Sequence, residues 1–65
     1  MNDNEIYNCA QILIELHGQD ALKESRTVIK TSIAANDNHT VSLWHKIEDA
    51  ILELRALAVG SATIN

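Results

Sequence analysis

Residues 43–58 have the sequence LWHKIEDAILELRALA, and this stretch carries the clearest secondary-structure signal in the chain. Projected at about 100° per residue, its apolar side chains fall within an arc of roughly 140° on one side of a helix. They are Leu43, Trp44, Ile47, Ala50, Ile51, Leu54, Leu57 and Ala58. Leu52 faces the opposite way, among polar neighbours. The pattern predicts an amphipathic helix over about residues 38–58, followed by a short flexible tail that is frayed over residues 59–65.

An earlier segment predicts a first helix over about residues 3–17. Asn2 followed by Glu5 resembles a capping box, in which the Asn side chain accepts from a free amide of the first turn. Gly18 stands where a residue of positive φ would end the helix, and His17 suits the negative end of the helix dipole. Most apolar residues of this segment, through Leu16, share one half of the helix, and Ile12 is the exception.

The middle segment predicts a second helix over about residues 20–35, with Asp20 as its N-cap. Small residues at helical spacing would form its inner face and allow close approach of its neighbours. The β-branched residues within 27–33 are also compatible with a strand. A lone two-stranded ribbon is marginal in water, which favours the helix. Residues 36–38, Asn-Asp-Asn, predict the turn to the third helix.

Three amphipathic segments with short links predict an all-α fold, a compact three-helix bundle that forms one domain over residues 1–65. The chain has no proline and only two glycines, which agrees with a helical protein. Although 46% of the residues are apolar, a chain of 65 residues builds only a marginal core.

Three stretches of the chain form a recognisable pattern: Tyr7-x-x-Ala10, His17-Gly18-x-Asp20 and Trp44-x-x-Ile47-x-x-Ala50-Ile51. The junction at His17-Gly18 and the single tryptophan are the more distinctive parts, since the other positions are helix core and cap positions. Together the three stretches resemble a group of short, uncharacterised helical proteins of alphaproteobacteria, to which no activity is assigned. The resemblance implies the fold and a bacterial origin and transfers no functional residue. This chain departs from the group at Asn36, where a glycine is expected before the aspartate.

The residue pattern argues against an enzyme and predicts no catalytic residue. Cys9 and His17 lie about 12 Å apart along the first helix, too far for a thiolate pair. The chain has one cysteine and no zinc-ligand spacing, and residues 36–38 lack the glycine and glutamate of a calcium loop. We therefore expect no metal, no cofactor and no small-molecule substrate.

Charge and hydropathy give further expectations. The net charge is −4, and Glu48, Asp49 and Glu53 would repel DNA from the third helix, so we expect no nucleic acid partner. A DNA-binding module using the basic stripe Lys23, Arg26 and Lys30 is the least favoured alternative. With no apolar run of about 18 residues and no basic leader, we expect no membrane partner and a cytoplasmic location.

Protein association remains as the favoured function. The marginal core, together with Ile12 and Leu52 off the core faces, predicts a non-enzymatic interaction module that acts as a homodimer or adaptor. Trp44 is either a core residue or an anchor for a partner. The first alternative is a small acidic regulator that binds a basic surface of its partner through Glu48, Asp49 and Glu53.

Overall fold

A computed structural model describes residues 2–63 of the chain, with side chains for residues 2–58. Helix α1 spans Asp3–His17, a 3₁₀ turn spans Gly18–Asp20, α2 spans Ala21–Ala34 and α3 spans Asn38–Thr63. Both α1 and α2 pack against α3, and no strand occurs in the described range. The predicted all-α, three-helix architecture is confirmed.

The ends of α1 follow the sequence signals. The Oδ1 atom of Asn2 accepts a hydrogen bond of 2.9 Å from the backbone N–H of Glu5, as the capping pattern predicts. At the other end, Gly18 has φ of 57° and its N–H donates to the carbonyl of Ile14. The combination of this φ with ψ of −122° is a conformation that glycine adopts readily and that residues with a Cβ atom avoid, so the chain turns at this residue.

Helix α2 includes all of residues 27–33, which settles the choice between helix and strand. The hydroxyl of Thr27 donates to the carbonyl of Lys23, and that of Thr31 donates to the carbonyl of Thr27, each at 3.0 Å. These bonds satisfy the hydroxyls within the helix itself. The predicted N-cap is not formed: the Asp20 side chain makes no capping hydrogen bond, because residues 18–20 enter α2 through the 3₁₀ turn.

The junction between α2 and α3 is closed by backbone hydrogen bonds. Asn36 has φ of 58°, and its N–H donates to the carbonyl of Ile33. The N–H of Asp37 donates to the carbonyl of Ser32, which completes a Schellman motif. Asp37 then caps α3, since its carboxylate accepts from both the N–H and the hydroxyl of Thr40, at 3.2 and 2.6 Å. The predicted turn is thus made by residues that serve two helices.

The end of α3 differs from the prediction. The helix runs to Thr63, five residues beyond the expected end at Ala58, so the predicted frayed tail is helical over residues 59–63. A single glycine in a helix costs only about 1 kcal/mol relative to alanine, and Gly60 is followed by no proline that would force a stop. Residues 64 and 65, the rest of that predicted tail, lie outside the described residues.

The core is built from small and β-branched side chains. Its buried members are Ile6, Ala10, Ala21, Ile47, Ala50 and Ile51, with Ile29 and the two serines Ser25 and Ser32 also buried. The small residues Ala21, Ser25 and Ser32 are buried on the inner face of α2, as predicted, whereas Ala35 is exposed just beyond the helix. The molecule is elongated, 46 × 23 × 16 Å, because α3 alone is about 39 Å long.

Candidate interaction surfaces

Of the three apolar residues predicted to take part in interaction, two are exposed, and they lie on different helices. Ile12 on α1 is 53% exposed and Leu52 on α3 is 44% exposed, as expected from their positions off the core faces. Trp44 is half-buried and packs against the core cluster. Of the three, only Trp44 is therefore held in part by the core.

The buried face of α1 extends sideways into an apolar margin that is partly exposed. Cys9, Ile12, Leu13 and Leu16 follow one another at spacings of three, one and three residues, which places them on one side of the helix. Cys9 and Leu13 are half-buried and pack against the core, whereas Leu16 is 72% exposed. We call these four residues the α1 stripe; it is about 10 Å long.

The exposure of Leu16 and Leu57 corrects the predicted core faces of α1 and α3. Both fall on the apolar arcs of their helices, yet Leu57 is 63% exposed and Leu16 more so. They lie near the ends of the bundle, where α1 gives way to the turn at Gly18 and α3 continues beyond it. A helical projection identifies a face but not how far along the helix the neighbouring helices extend, so it overestimates burial at the ends.

The predicted acidic group is divided by the fold. Glu48 pairs with Arg26 of α2, with Oε2 and Nε 3.2 Å apart, and its side chain is only 17% exposed. Asp49 and Glu53 instead join Asp3 of α1 along a shallow cleft of about 210 Å³ between α1 and α3. We call this the acidic cleft.

Tyr7 joins the two helices at the acidic cleft. Its hydroxyl donates a 2.5 Å hydrogen bond to Oε2 of Glu53. This bond to a carboxylate, followed by partial desolvation and the negative charges of Glu53 and Asp3, raises the pKa of Tyr7 above its ordinary value. The phenol is therefore held in its neutral, donating form.

A second cleft, of about 470 Å³, lies between α2 and α3 and is lined mainly by basic side chains. Lys23, Arg26 and Lys30 line it from α2, as the predicted basic stripe, and Arg55 lines it from α3. The stripe itself was visible in the sequence. The contribution of Arg55 was not, because its convergence with α2 depends on how the two helices cross. We call this the basic cleft.

No arrangement in the described residues is typical of a catalytic or metal centre. Among them, no group of three or more His, Cys, Asp and Glu side chains lies close enough to hold a metal ion. His39 and Ser42 line a small cleft with Ile6, Leu43 and Lys46, a set without a carboxylate to orient the histidine. Between residues 2 and 63, no helix combines the length and hydropathy needed to cross a bilayer.

Comparison with known proteins adds no functional information. The chain matches no protein-family model, no curated protein and no solved structure.

Proposed function

We propose that this protein is a non-enzymatic protein-interaction module that forms a homodimer through the α1 stripe. The observation that carries the proposal is the exposure of Ile12 and Leu16 beside half-buried Cys9 and Leu13. Within one copy α1 packs against both α2 and α3, and Ile12 and Leu16 remain uncovered at the edge of its buried face. A second copy would cover these two apolar side chains.

The size of the chain supports the same proposal. A core of a few isoleucines, alanines and serines provides little hydrophobic stabilisation, and small domains commonly compensate by oligomerising. A stable interface buries about 800 Å² per partner, and the α1 stripe covers only two turns of helix. We therefore expect a dissociation constant in the micromolar range rather than an obligate dimer.

The test is the molar mass in solution, measured by light scattering on the eluting protein from about 10 to 500 µM, a range that brackets micromolar affinity. The wild type should rise from the monomer mass of 7.2 kDa towards twice that value. Ile12→Glu/Leu16→Glu should remain monomeric throughout, because it places two charges in the apolar contact.

The matched control is Asn4→Glu/Gln11→Glu. Both residues are exposed on α1, away from the stripe, so this variant adds the same charge to the same helix and should still dimerise. A wild type of 7.2 kDa at every concentration would exclude the homodimer. Equal loss of dimer in the control variant would show that total charge, and not the stripe, governs association.

The acidic cleft supports a second candidate function, an acidic regulator that occupies a basic surface on another protein. Asp3, Asp49 and Glu53 line the cleft together, so the charges that such a regulator needs are concentrated on the α1–α3 face. Glu48, which pairs with Arg26, takes no part in it. Binding of this kind should weaken steeply between about 50 and 500 mM salt, whereas association through the α1 stripe should not.

A further inference from the structure

The basic residues of this acidic chain are concentrated in one place. The protein has five Lys and Arg against nine Asp and Glu, and four of the five basic residues line the basic cleft. The fifth, Lys46, lies in the acidic cleft and in the small cleft beside His39. Four of the five Lys and Arg side chains therefore share one face, between α2 and α3, of a protein whose net charge is −4.

The walls of the basic cleft hold their charges at defined positions. Lys23, Arg26 and Lys30 occupy positions i, i+3 and i+7 of α2, a row about 10 Å long. On the α3 side, Nη2 of Arg55 donates to the carbonyl of Gln19 at 3.3 Å, which ties that guanidinium to the turn before α2. Neither wall depends on a loop.

The charge of the cleft is only partly neutralised within the chain. Glu48 pairs with Arg26 through Nε, but the Arg26 side chain remains 62% exposed. Lys23 and Lys30 are exposed as well. Leu22, which is half-buried, adds an apolar element to the lining. On the same flank of α3, Leu52 lies four residues after Glu48 and three before Arg55, which places it beside the cleft.

We infer that the basic cleft binds an acidic amphipathic helix of a partner protein. Carboxylates at positions i, i+3 or i+4, and i+7 of such a helix match the row on α2, and an aliphatic residue between them would pack on Leu22. A long polyanion such as duplex DNA fits less well, because Glu48 is paired with Arg26 and the other Lys, Arg, Asp and Glu side chains outside the cleft are eight acidic residues and one lysine.

This site is independent of the α1 stripe, which lies on another helix. If the proposed homodimer forms, each copy keeps its basic cleft open, and the dimer becomes an adaptor with two equivalent sites. The basic cleft would recruit the partner and the α1 stripe would join the two copies, so the two proposals are tested separately.

The experiment is a titration of the full chain with a capped, alanine-rich helical peptide. The peptide carries glutamates at positions i, i+3 and i+7 and a leucine between them, and a second peptide has glutamine at the same positions. Binding is followed by amide chemical shifts. The glutamate peptide should shift residues 19–30 and Arg55, and the glutamine peptide should bind at least about tenfold more weakly.

Two charge variants locate the site. Lys23→Glu/Lys30→Glu should lose at least about tenfold in affinity for the glutamate peptide, while Lys46→Glu, which changes the one basic residue outside the cleft, should retain it. Because both lysines are exposed, the double variant should stay folded. Lys23→Gln/Lys30→Gln serves as a second variant and should show a smaller loss in the same direction.

Several results would overturn the inference. One is equal binding of the two peptides, or shifts confined to other residues. Another is a duplex DNA or inorganic phosphate that competes as well as the glutamate peptide at equal charge concentration, which would assign the cleft to anions in general. A third is loss of self-association in Lys23→Glu/Lys30→Glu, which would assign the cleft to a second copy. Failure of the homodimer alone leaves the inference intact.

Discussion

Gly18 and Asn36 are the two positions in the described chain with positive φ, and each ends a helix. Gly18 combines φ of 57° with ψ of −122°, a region that residues with a Cβ atom avoid. Nothing lies within 4 Å of a Cβ built there, so a side chain would meet conformational strain but no steric clash. At Asn36 the sequence departs from the glycine that the resemblance leads one to expect, and asparagine still adopts the required conformation.

We predict that Gly18→Ala lowers the free energy of unfolding by about 1–3 kcal/mol, the cost of holding alanine in that region. Asn36→Ala should cost about 1–2 kcal/mol for the same reason. Urea unfolding followed by circular dichroism measures both. An unchanged urea midpoint for Gly18→Ala would mean that the turn can adopt another backbone geometry without loss of stability.

Ser25 shows how little room lies between α2 and its neighbours. The residue is fully buried, and its hydroxyl donates to the carbonyl of Leu22 at 3.0 Å, so the side chain is satisfied within its own helix. We predict that Ser25→Ala changes the free energy of unfolding by less than about 1 kcal/mol. The variant loses the hydrogen bond of the hydroxyl but also avoids the cost of burying that hydroxyl away from water. Ser25→Leu should cost about 1–3 kcal/mol through overpacking. A tolerated leucine would indicate a looser core.

The junction between α2 and α3 depends on Asp37. The hydrogen bonds that its carboxylate accepts from the side chain and the backbone of Thr40 lower the pKa of Asp37 below its ordinary value of 3.8. A lowered pKa in the folded state stabilises the protein at pH values above that ordinary value, and the contribution is lost as the pH falls through the folded-state pKa.

We therefore predict that Asp37→Ala lowers the thermal midpoint at pH 7 and that its difference from wild type shrinks as the pH falls below about 4. Asp20→Ala is the control, because the Asp20 side chain caps no helix, and it should change the midpoint at pH 7 much less. A gap between Asp37→Ala and wild type that stays constant down to pH 2 would contradict the role of this carboxylate.

The helices themselves were largely predictable from the sequence. Helix boundaries occur at Asn2, Gly18 and Asn36 because of the capping side chain of the first and the positive φ of the other two, and these properties follow from residue type. The end of α3 was not predictable, because Gly60 is a weak break and no stronger signal follows it. Nor was the uncapped start of α2, since a 3₁₀ turn and a side-chain cap at Asp20 suit the same short sequence.

The whole molecule depends on a small number of buried contacts. A domain of this size has a free energy of unfolding of about 3–10 kcal/mol, and Ile51 is its largest fully buried side chain. We predict that Ile51→Ala costs about 2–5 kcal/mol and leaves a large unfolded population at 25 °C. Leu57→Ala should cost less than about 0.5 kcal/mol, because that residue is exposed although it shares the apolar arc of α3. Equal effects of the two variants would mean that Leu57 is covered in solution.

The surfaces were less predictable than the helices. Ile12 and Leu52 were identified correctly as exposed, but their distance from each other depends on how three helices cross. The spacing of Cys9, Ile12, Leu13 and Leu16 was available in the sequence, but the fold decides that two of them pack on the core while two stay exposed. Two features follow only from the packing of the helices. Glu48 pairs with Arg26 of α2 and is thereby separated from Asp49 and Glu53, and Arg55 comes to lie beside α2.

Asp37 both closes the end of α2 with its backbone N–H and caps the start of α3 with its carboxylate, so it fixes how α3 is placed relative to α2. Inserting one residue after Asn36 would separate the end of α2 from the Asp37 cap of α3, and would displace Ile51, Glu48 and Arg55 together from the residues that they face. A variant with a longer or shorter joint between α2 and α3 should therefore hold its helices differently from this protein, even where every core residue is kept.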